Sequence, residues 1–160
     1  MPIAIVIDWY GPFKSFEDFS KHVQESWHDK PKCVYMAFGA YGKLRYVGLT
    51  KRPTGRFQKH PKMQDAENKS FFIGEITSQG IGGRRAKKTK PDLDIAELAL
   101  IRALDPTEND RRKAQQIGDC VSIYSRFFNK DDWYKPHPKP KKFPVFIGYN
   151  SYREEFDVLR

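Results

Sequence analysis

Several hallmarks of common protein classes are missing from this chain. It has two cysteines, Cys33 and Cys120, and no CxxC pair, so neither a zinc site nor a disulfide framework is expected. A glycine-rich phosphate loop, a nucleophile elbow and an internal repeat are also missing. The apolar run at residues 3–7 ends at Asp8, too short for a membrane span or a signal segment. We therefore expect a cytoplasmic protein with reduced thiols and no membrane partner.

Positive charge is in excess, and it is concentrated in the middle of the chain. The 160 residues include 29 basic and 20 acidic side chains, a formal net charge of +9. Residues 33–118 hold 17 basic and 9 acidic residues, whereas residues 1–32 hold 4 and 5 and residues 119–160 hold 8 and 6. This distribution favours a polyanionic partner, usually nucleic acid. An acidic protein partner and a merely solubilising surface are the alternatives.

A β-hairpin is predicted at residues 34–49, with a two-residue turn at Tyr41-Gly42. Position 34 then faces 49, 36 faces 47 and 38 faces 45. Alternation gives one face an apolar set, which consists of Val34, Met36, Phe38, Val47 and Leu49. The other face carries Tyr35 and Tyr46 among small residues, so free volume is expected above the two phenols.

A buried carboxylate is predicted on the helix at Leu93–Leu104, which Asp105-Pro106 ends. Glu97 shares the apolar stripe of this helix with Leu100 and Ile101. A buried carboxylate requires a cation or strong donors beside it. An arginine, a helix N-terminus or a divalent metal would each meet this requirement.

The remaining elements follow from shorter patterns. Helices are predicted at residues 16–27, with Ser15 as N-cap, at 110–117, and after the capping-box pattern of residues 151–154. A further short helix is expected to carry Arg56 and His60 on one face. Strands are predicted at 3–7, 71–76, 121–128 and 143–149, with a basic loop at 80–91 and a basic, proline-rich connector at 135–142.

In their order along the chain, these residues resemble the GIY-YIG nuclease family. Val34-Tyr35 corresponds to the end of the first motif, with Cys33 in place of glycine, and Tyr46-Val47-Gly48 corresponds to the second. The other matches are Arg56 and His60 of the family's helix, the metal-binding Glu97, and the closing Pro106 and Asn109.

The resemblance covers residues 33–118 and implies an α/β (α+β) fold. This fold is a small central antiparallel sheet of about three strands flanked by helices. A single domain over residues 1–160 would then consist of an N-terminal extension at 1–32 (strand plus helix), a nuclease core at 33–118 and a C-terminal extension at 119–160.

The resemblance also implies a divalent-metal-dependent endonuclease acting on double-stranded DNA. One Mg²⁺ or Mn²⁺ per active site would be held by Glu97, without an organic cofactor. The catalytic residues implied are Tyr35, Tyr46, Arg56, His60, Glu97 and Asn109. Tyr35, assisted by His60 or by a cation such as Lys43, or His60 itself would be the general base. Tyr46 would orient water or phosphate, and Asn109 would hold the site together by hydrogen bonds.

Eight basic residues are expected to contact nucleic acid: Lys43, Arg45, Lys51, Arg52, Arg84, Arg85, Lys87 and Lys88. Restriction, phage or mobile-element, and repair roles all remain open for an enzyme associated with the nucleoid, and a restriction-type or phage-encoded endonuclease is slightly favoured because homing enzymes of this family usually carry long appended DNA-binding modules. Since one active site cuts one strand, a homodimer or a second event would complete a double-strand break. The alternative is a non-catalytic DNA- or RNA-binding module of the same fold.

Overall fold

The computed structural model of the chain describes residues 3–27, 33–50, 60–80, 93–109 and 116–160. Across these ranges it has seven strands and two α-helices. In chain order they are β1 (Ile3–Phe13), α1 (Phe16–Ser26), β2 (Cys33–Phe38), β3 (Leu44–Thr50), β4 (Ser70–Gly80), α2 (Leu93–Leu104), β5 (Val121–Asn129), β6 (Phe146–Asn150) and β7 (Glu155–Leu159).

All seven strands form one curled, half-barrel sheet with the order β3-β2-β4-β1-β5-β6-β7. The sheet is mixed, because β1 is antiparallel to β4 but parallel to β5. Strand β1 lies near the centre of the sheet, and its side chains Ile5, Ile7 and Trp9 are fully buried. A strand that pairs on both sides and carries such residues is typical of a sheet interior.

The expectation of a small three-stranded sheet flanked by helices is therefore wrong. Strands β3, β2 and β4 are adjacent and antiparallel, but β1 pairs with the free side of β4 and extends the sheet. Within the described residues, two helices pack on this larger sheet. The reason is that residues outside the 33–118 segment contribute four of the seven strands.

The sheet has two buried faces, each covered by one helix. On the α2 face, Val34, Met36 and Val47 pack with Ala96 and Leu100 of α2. On the α1 face, a second cluster joins side chains of β2 and β4 to α1; it includes Cys33, Tyr35, Ala37, Phe71, Phe19, Val23 and Trp27. Helix α1 begins as predicted, since the Ser15 side chain accepts the N–H of Asp18 at 3.1 Å.

The hairpin register is as predicted over most of its length. Val34 pairs with Leu49 and Met36 with Val47. The register shifts after Ala37, and Phe38 pairs with Leu44 instead of position 45. The turn itself is as predicted, because Tyr41 and Gly42 both have positive φ (61° and 70°) and the Lys43 N–H donates to the Ala40 carbonyl at 3.3 Å. The irregularity lies in the strand pairing between Ala37 and Phe38.

The C-terminal helix predicted at residues 151–154 is wrong. These residues form a turn in which the Asn150 side chain accepts the N–H groups of Tyr152 and Arg153, at 3.0 and 3.2 Å. Glu154 then adopts a φ of 55°, and β7 runs back along β6. The local side-chain bonds compete with helix formation, and pairing with β6 satisfies the backbone instead.

Candidate active site

Three aromatic side chains meet on the α1 face at the hairpin. Tyr35 lies on β2, Tyr46 on β3, and His60 at the start of the turn that leads to β4. The ring centroids of Tyr35 and Tyr46 are 6.1 Å apart, and that of His60 lies 5.9 Å from Tyr35 and 5.2 Å from Tyr46. We call these three side chains the ring cluster.

Gly48 is what allows the Tyr35 ring to lie flat across the hairpin. The two residues pair directly, and a Cβ at Gly48 would lie 2.5 Å from Cζ and 2.6 Å from the hydroxyl oxygen of Tyr35. Tyr35 itself is fully buried. The space above this glycine is therefore filled by the phenol, in contrast to the free volume expected from the sequence.

The His60 imidazole is oriented by its own turn. Its Nδ1 accepts the N–H of Met63 at 3.3 Å, and its carbonyl accepts the N–H of Gln64 at 3.0 Å. In the neutral ring an accepting Nδ1 requires the hydrogen on Nε2. This geometry suits His60 as a hydrogen-bond donor better than as a proton acceptor.

Asn109 clamps the outer edge of β3 beside Tyr46. Its Oδ1 accepts the N–H of Val47 and its Nδ2 donates to the Val47 carbonyl, each at 2.9 Å. The N–H groups of Thr107 and Glu108 donate to the carbonyls of Leu44 and Arg45, at 3.4 and 2.7 Å. Because β3 is an edge strand, this segment covers groups that would otherwise be open.

Arg45 connects the turn of His60 to the Asn109 segment. Its guanidinium donates to Asn68 at 3.0 Å, to Asp65 at 3.0 Å and to Glu108 at 3.4 Å, and its side chain is only 16% exposed. These donors are directed to the protein itself, which differs from the nucleic-acid contact predicted for Arg45. The partners lie 20 to 63 residues away in sequence, so no local spacing reveals them.

Lys62 is a site residue that the sequence reasoning missed. Its Nζ lies 5.9 Å from the centroid of the Tyr46 ring and donates to the Glu108 carbonyl. The turn that carries it is fixed by Asn68, whose Nδ2 donates to the carbonyls of Lys62 and Met63. Its position two residues after His60, in the same basic segment, is the signal that could have found it.

Glu97 is 9% exposed on α2, the helix behind the same hairpin. The apolar residues of α2 pack on the α2 face, opposite to the ring cluster, and α2 lies mainly against the edge strand β3. In the described residues no three His, Cys, Asp or Glu side chains are grouped as metal ligands. A Mg²⁺ site that uses one carboxylate and several waters does not require such a group.

One other predicted contact is placed away from the rings. Lys43 lies at the hairpin tip, five residues and about 17 Å along the strand from Gly48, the partner of Tyr35. It is therefore too distant to assist Tyr35 as expected. Burial raises the pKa of the Cys33 thiol, which makes Cys33 a packing residue and a poor nucleophile.

The other predicted residues fall outside the described ranges. They are Lys51, Arg52, Arg56, Arg84, Arg85, Lys87 and Lys88. Residues 110–115 of the helix predicted at 110–117, the start of the short helix before His60, and most of the basic loop at 80–91 also fall outside them.

Comparison with known proteins adds no relative. No protein-family model, curated protein or solved structure matches this chain. Among the residues that the structure describes, no helix has the length and apolar content needed to cross a membrane. A functional proposal therefore depends on the side chains around the hairpin.

Proposed function

We propose that this chain is a divalent-metal-dependent endonuclease that hydrolyses DNA phosphodiester bonds, as the resemblance to GIY-YIG nucleases implies. The ring cluster carries the proposal, since it holds two phenols and an imidazole within 6.1 Å of one another. These are groups that can move or donate a proton at an attacking water or a phosphate. Tyr35, Tyr46 and His60 also correspond to three of the positions that carry the resemblance.

Burial supports a division of labour between the two tyrosines. Tyr35 is fully buried, whereas Tyr46 is partly exposed. A group that takes a proton from water must be reached by that water, which favours Tyr46 for this role. Tyr35 would support the Tyr46 ring from within the protein and keep its orientation.

Cationic and hydrogen-bonding groups beside Tyr46 would assist it. A phenol ordinarily titrates at a pKa of about 10 and is a weak base at neutral pH. Lys62, whose Nζ lies 5.9 Å from the ring centroid, would place a positive charge beside a phosphate bound at this site. His60, as an Nε2–H donor, would hydrogen-bond to a phosphate oxygen or to the phenolate.

Glu97 is the residue that would hold the metal, at the edge strand β3 that separates α2 from the ring cluster. Its carboxylate oxygens are ligands that Mg²⁺ and Mn²⁺ accept. When bound, the metal would supply Lewis-acid stabilisation of the phosphate and the leaving oxygen. Asn109 would keep the backbone of β3, and with it Tyr46, in a fixed position.

A plasmid assay tests the proposal. The purified chain is incubated with supercoiled plasmid and Mg²⁺, and in parallel with EDTA, and the products are separated on a gel. We expect open-circular DNA with Mg²⁺ and none with EDTA. Plasmid that stays supercoiled at high enzyme concentration with both Mg²⁺ and Mn²⁺ would contradict the proposal.

A non-catalytic nucleic-acid-binding module is the second candidate. The full burial of Tyr35 and the engagement of His60 Nδ1 by Met63 favour it, because both limit what these groups can do at a substrate. Salt-dependent DNA binding without any nicking would support this candidate over the nuclease.

A further inference from the structure

A separate cavity of about 500 Å³ opens at the hairpin tip. Its walls come from the turn at Ala40–Gly42, the C-terminal end of α2 and the connector that precedes β6. Apolar side chains form much of the wall, among them Phe38, Leu44, Leu104 and Phe143. A volume of this order falls in the range of small-molecule sites, about 300–1,000 Å³. We call this cavity the tip pocket.

Tyr41 stands at the mouth of the tip pocket and presents its side chain to solvent. The side chain is 99% exposed, and the φ of 61° is that of a central residue in a tight hairpin turn. An aromatic ring held there buries no surface within the described fold. A ring presented in this way is suited to an external partner.

The charge of the tip pocket indicates an anionic partner. Lys43, Lys142 and Arg160 line it together with one acidic side chain, Asp105. The Arg160 guanidinium donates to the backbone carbonyl of Lys142 at 3.1 Å, which holds Arg160 against the end of the connector. The connector at 135–142 adds three further lysines and no acidic residue.

We propose that the tip pocket binds one unstacked nucleotide of a single-stranded nucleic acid. The base would stack on the Tyr41 ring against the apolar wall, and the adjoining phosphates would lie on Lys43, Lys142 and Arg160. An exposed aromatic flanked by cations is the arrangement with which proteins bind single strands. The proposal is independent of cleavage, and it gives the connector a binding role.

The test measures binding without metal. A fluorescein-labelled oligo(dT) of twelve nucleotides is titrated with the protein in EDTA and low salt, and its anisotropy gives the Kd. Because stacking contributes about 1–3 kcal/mol per base, Tyr41→Ala should weaken binding by about 5- to 150-fold, whereas Tyr41→Phe should bind nearly as the unaltered chain does. Lys142→Ala should reduce the slope of log Kd against log salt by about 0.7.

Two tyrosines elsewhere provide matched controls. Tyr134 and Tyr152 are 96% and 93% exposed and do not line the tip pocket. Tyr134→Ala and Tyr152→Ala should leave the Kd unchanged, and circular dichroism should show that all variants are folded.

Three results would overturn the proposal. They are an unchanged Kd for Tyr41→Ala, an equal loss for Tyr134→Ala, and oligo(dT) that does not bind the unaltered chain at low salt. A poly-glutamate peptide that binds more tightly than oligo(dT), and loses affinity with Tyr41→Ala, would assign the pocket to an acidic protein. Because the assay contains no metal, its result does not depend on whether the chain cuts DNA.

Discussion

The middle and the tip of one hairpin use their tyrosines in opposite ways. In the middle, Tyr35 is fully buried against Gly48, and Tyr46 lies beside a backbone that Asn109 clamps. At the tip, Tyr41 is 99% exposed, in the turn over Ala40–Gly42. The same two strands thus carry one aromatic group held rigidly inside and another presented to solvent.

This difference separates two tasks that a nuclease must combine. Chemistry requires groups in fixed positions, which the ring cluster and its hydrogen bonds supply. Capture of a flexible strand requires an accessible ring and cations, which the tip supplies. The comparison predicts that changes in the middle alter cutting or stability, whereas changes at the tip alter binding.

The largest effect is expected from Glu97→Gln. The substitution keeps the size of the side chain but removes the charge that would hold the metal, so nicking should fall below detection while oligo(dT) affinity stays unchanged. The exposed Glu67 provides a control, because Glu67→Gln should nick normally. Full activity of Glu97→Gln in the plasmid assay would refute the metal role.

The second-largest effect, on the nicking rate, distinguishes the two tyrosines of the ring cluster. Tyr46→Phe removes the partly exposed hydroxyl and should lower the nicking rate by about 10²-fold or more, the size of an acid–base contribution. Tyr35→Phe should lower it less, and Tyr41→Phe not at all at saturating DNA. Single-turnover rates measure this order. A larger loss for Tyr35→Phe would reverse the proposed division of labour.

The third effect concerns stability. Asn109→Ala leaves the N–H and the carbonyl of Val47 without their side-chain partners and should lower the free energy of unfolding by about 3 kcal/mol. Thr107→Ala, in the same segment and exposed, should change it little. Urea unfolding provides the measurement. Equal stability of the two variants would mean that the clamp contributes nothing.

The smallest effect compares two glycines of the hairpin. Gly48→Ala places a methyl group 2.5 Å from a buried ring carbon and should destabilise the fold by about 1–3 kcal/mol. A Cβ at position 42 would have no atom within 4 Å, so Gly42→Ala is disfavoured only by the backbone φ of 70°, which should lower the free energy of unfolding by about 1 kcal/mol. Thermal unfolding should rank Gly48→Ala below Gly42→Ala, and the opposite rank would contradict the packing described.

Local sequence patterns predicted the bounds of α2 and the pairing of the hairpin strands well. The periodicity of α2 and its Asp105-Pro106 end gave the helix bounds, and alternation gave the pairing of Val34 with Leu49. The wider sheet could not be predicted in the same way. Asp8 of β1 pairs with Arg126 of β5, 118 residues further on, and no short-range signal specifies such a parallel pairing.

The candidate site was likewise predictable from local patterns only in part. The placement of Tyr35 and Tyr46 on one face of the hairpin follows from alternation along adjacent strands. The burial of Tyr35 by Gly48 and the bonds of Arg45 to Asn68 and Asp65 depend on the folded geometry. From sequence, a basic side chain such as Arg45 in a basic segment suggests contact with an anionic ligand. Only the folded structure shows that Asn68 and Asp65 accept its hydrogen bonds instead.

The most direct measurement asks whether Glu97 and the ring cluster share one metal site. Mn²⁺ is titrated into the protein while the tyrosine ring signals are followed by NMR, with Tyr35→Phe and Tyr46→Phe assigning them. We predict that Mn²⁺ broadens the ring signals of Tyr46 and of its neighbour Tyr35, that excess Mg²⁺ reverses the broadening, and that Glu97→Gln abolishes it. Tyr46 signals that stay sharp at saturating Mn²⁺, or that broaden equally in Glu97→Gln, would contradict a shared site.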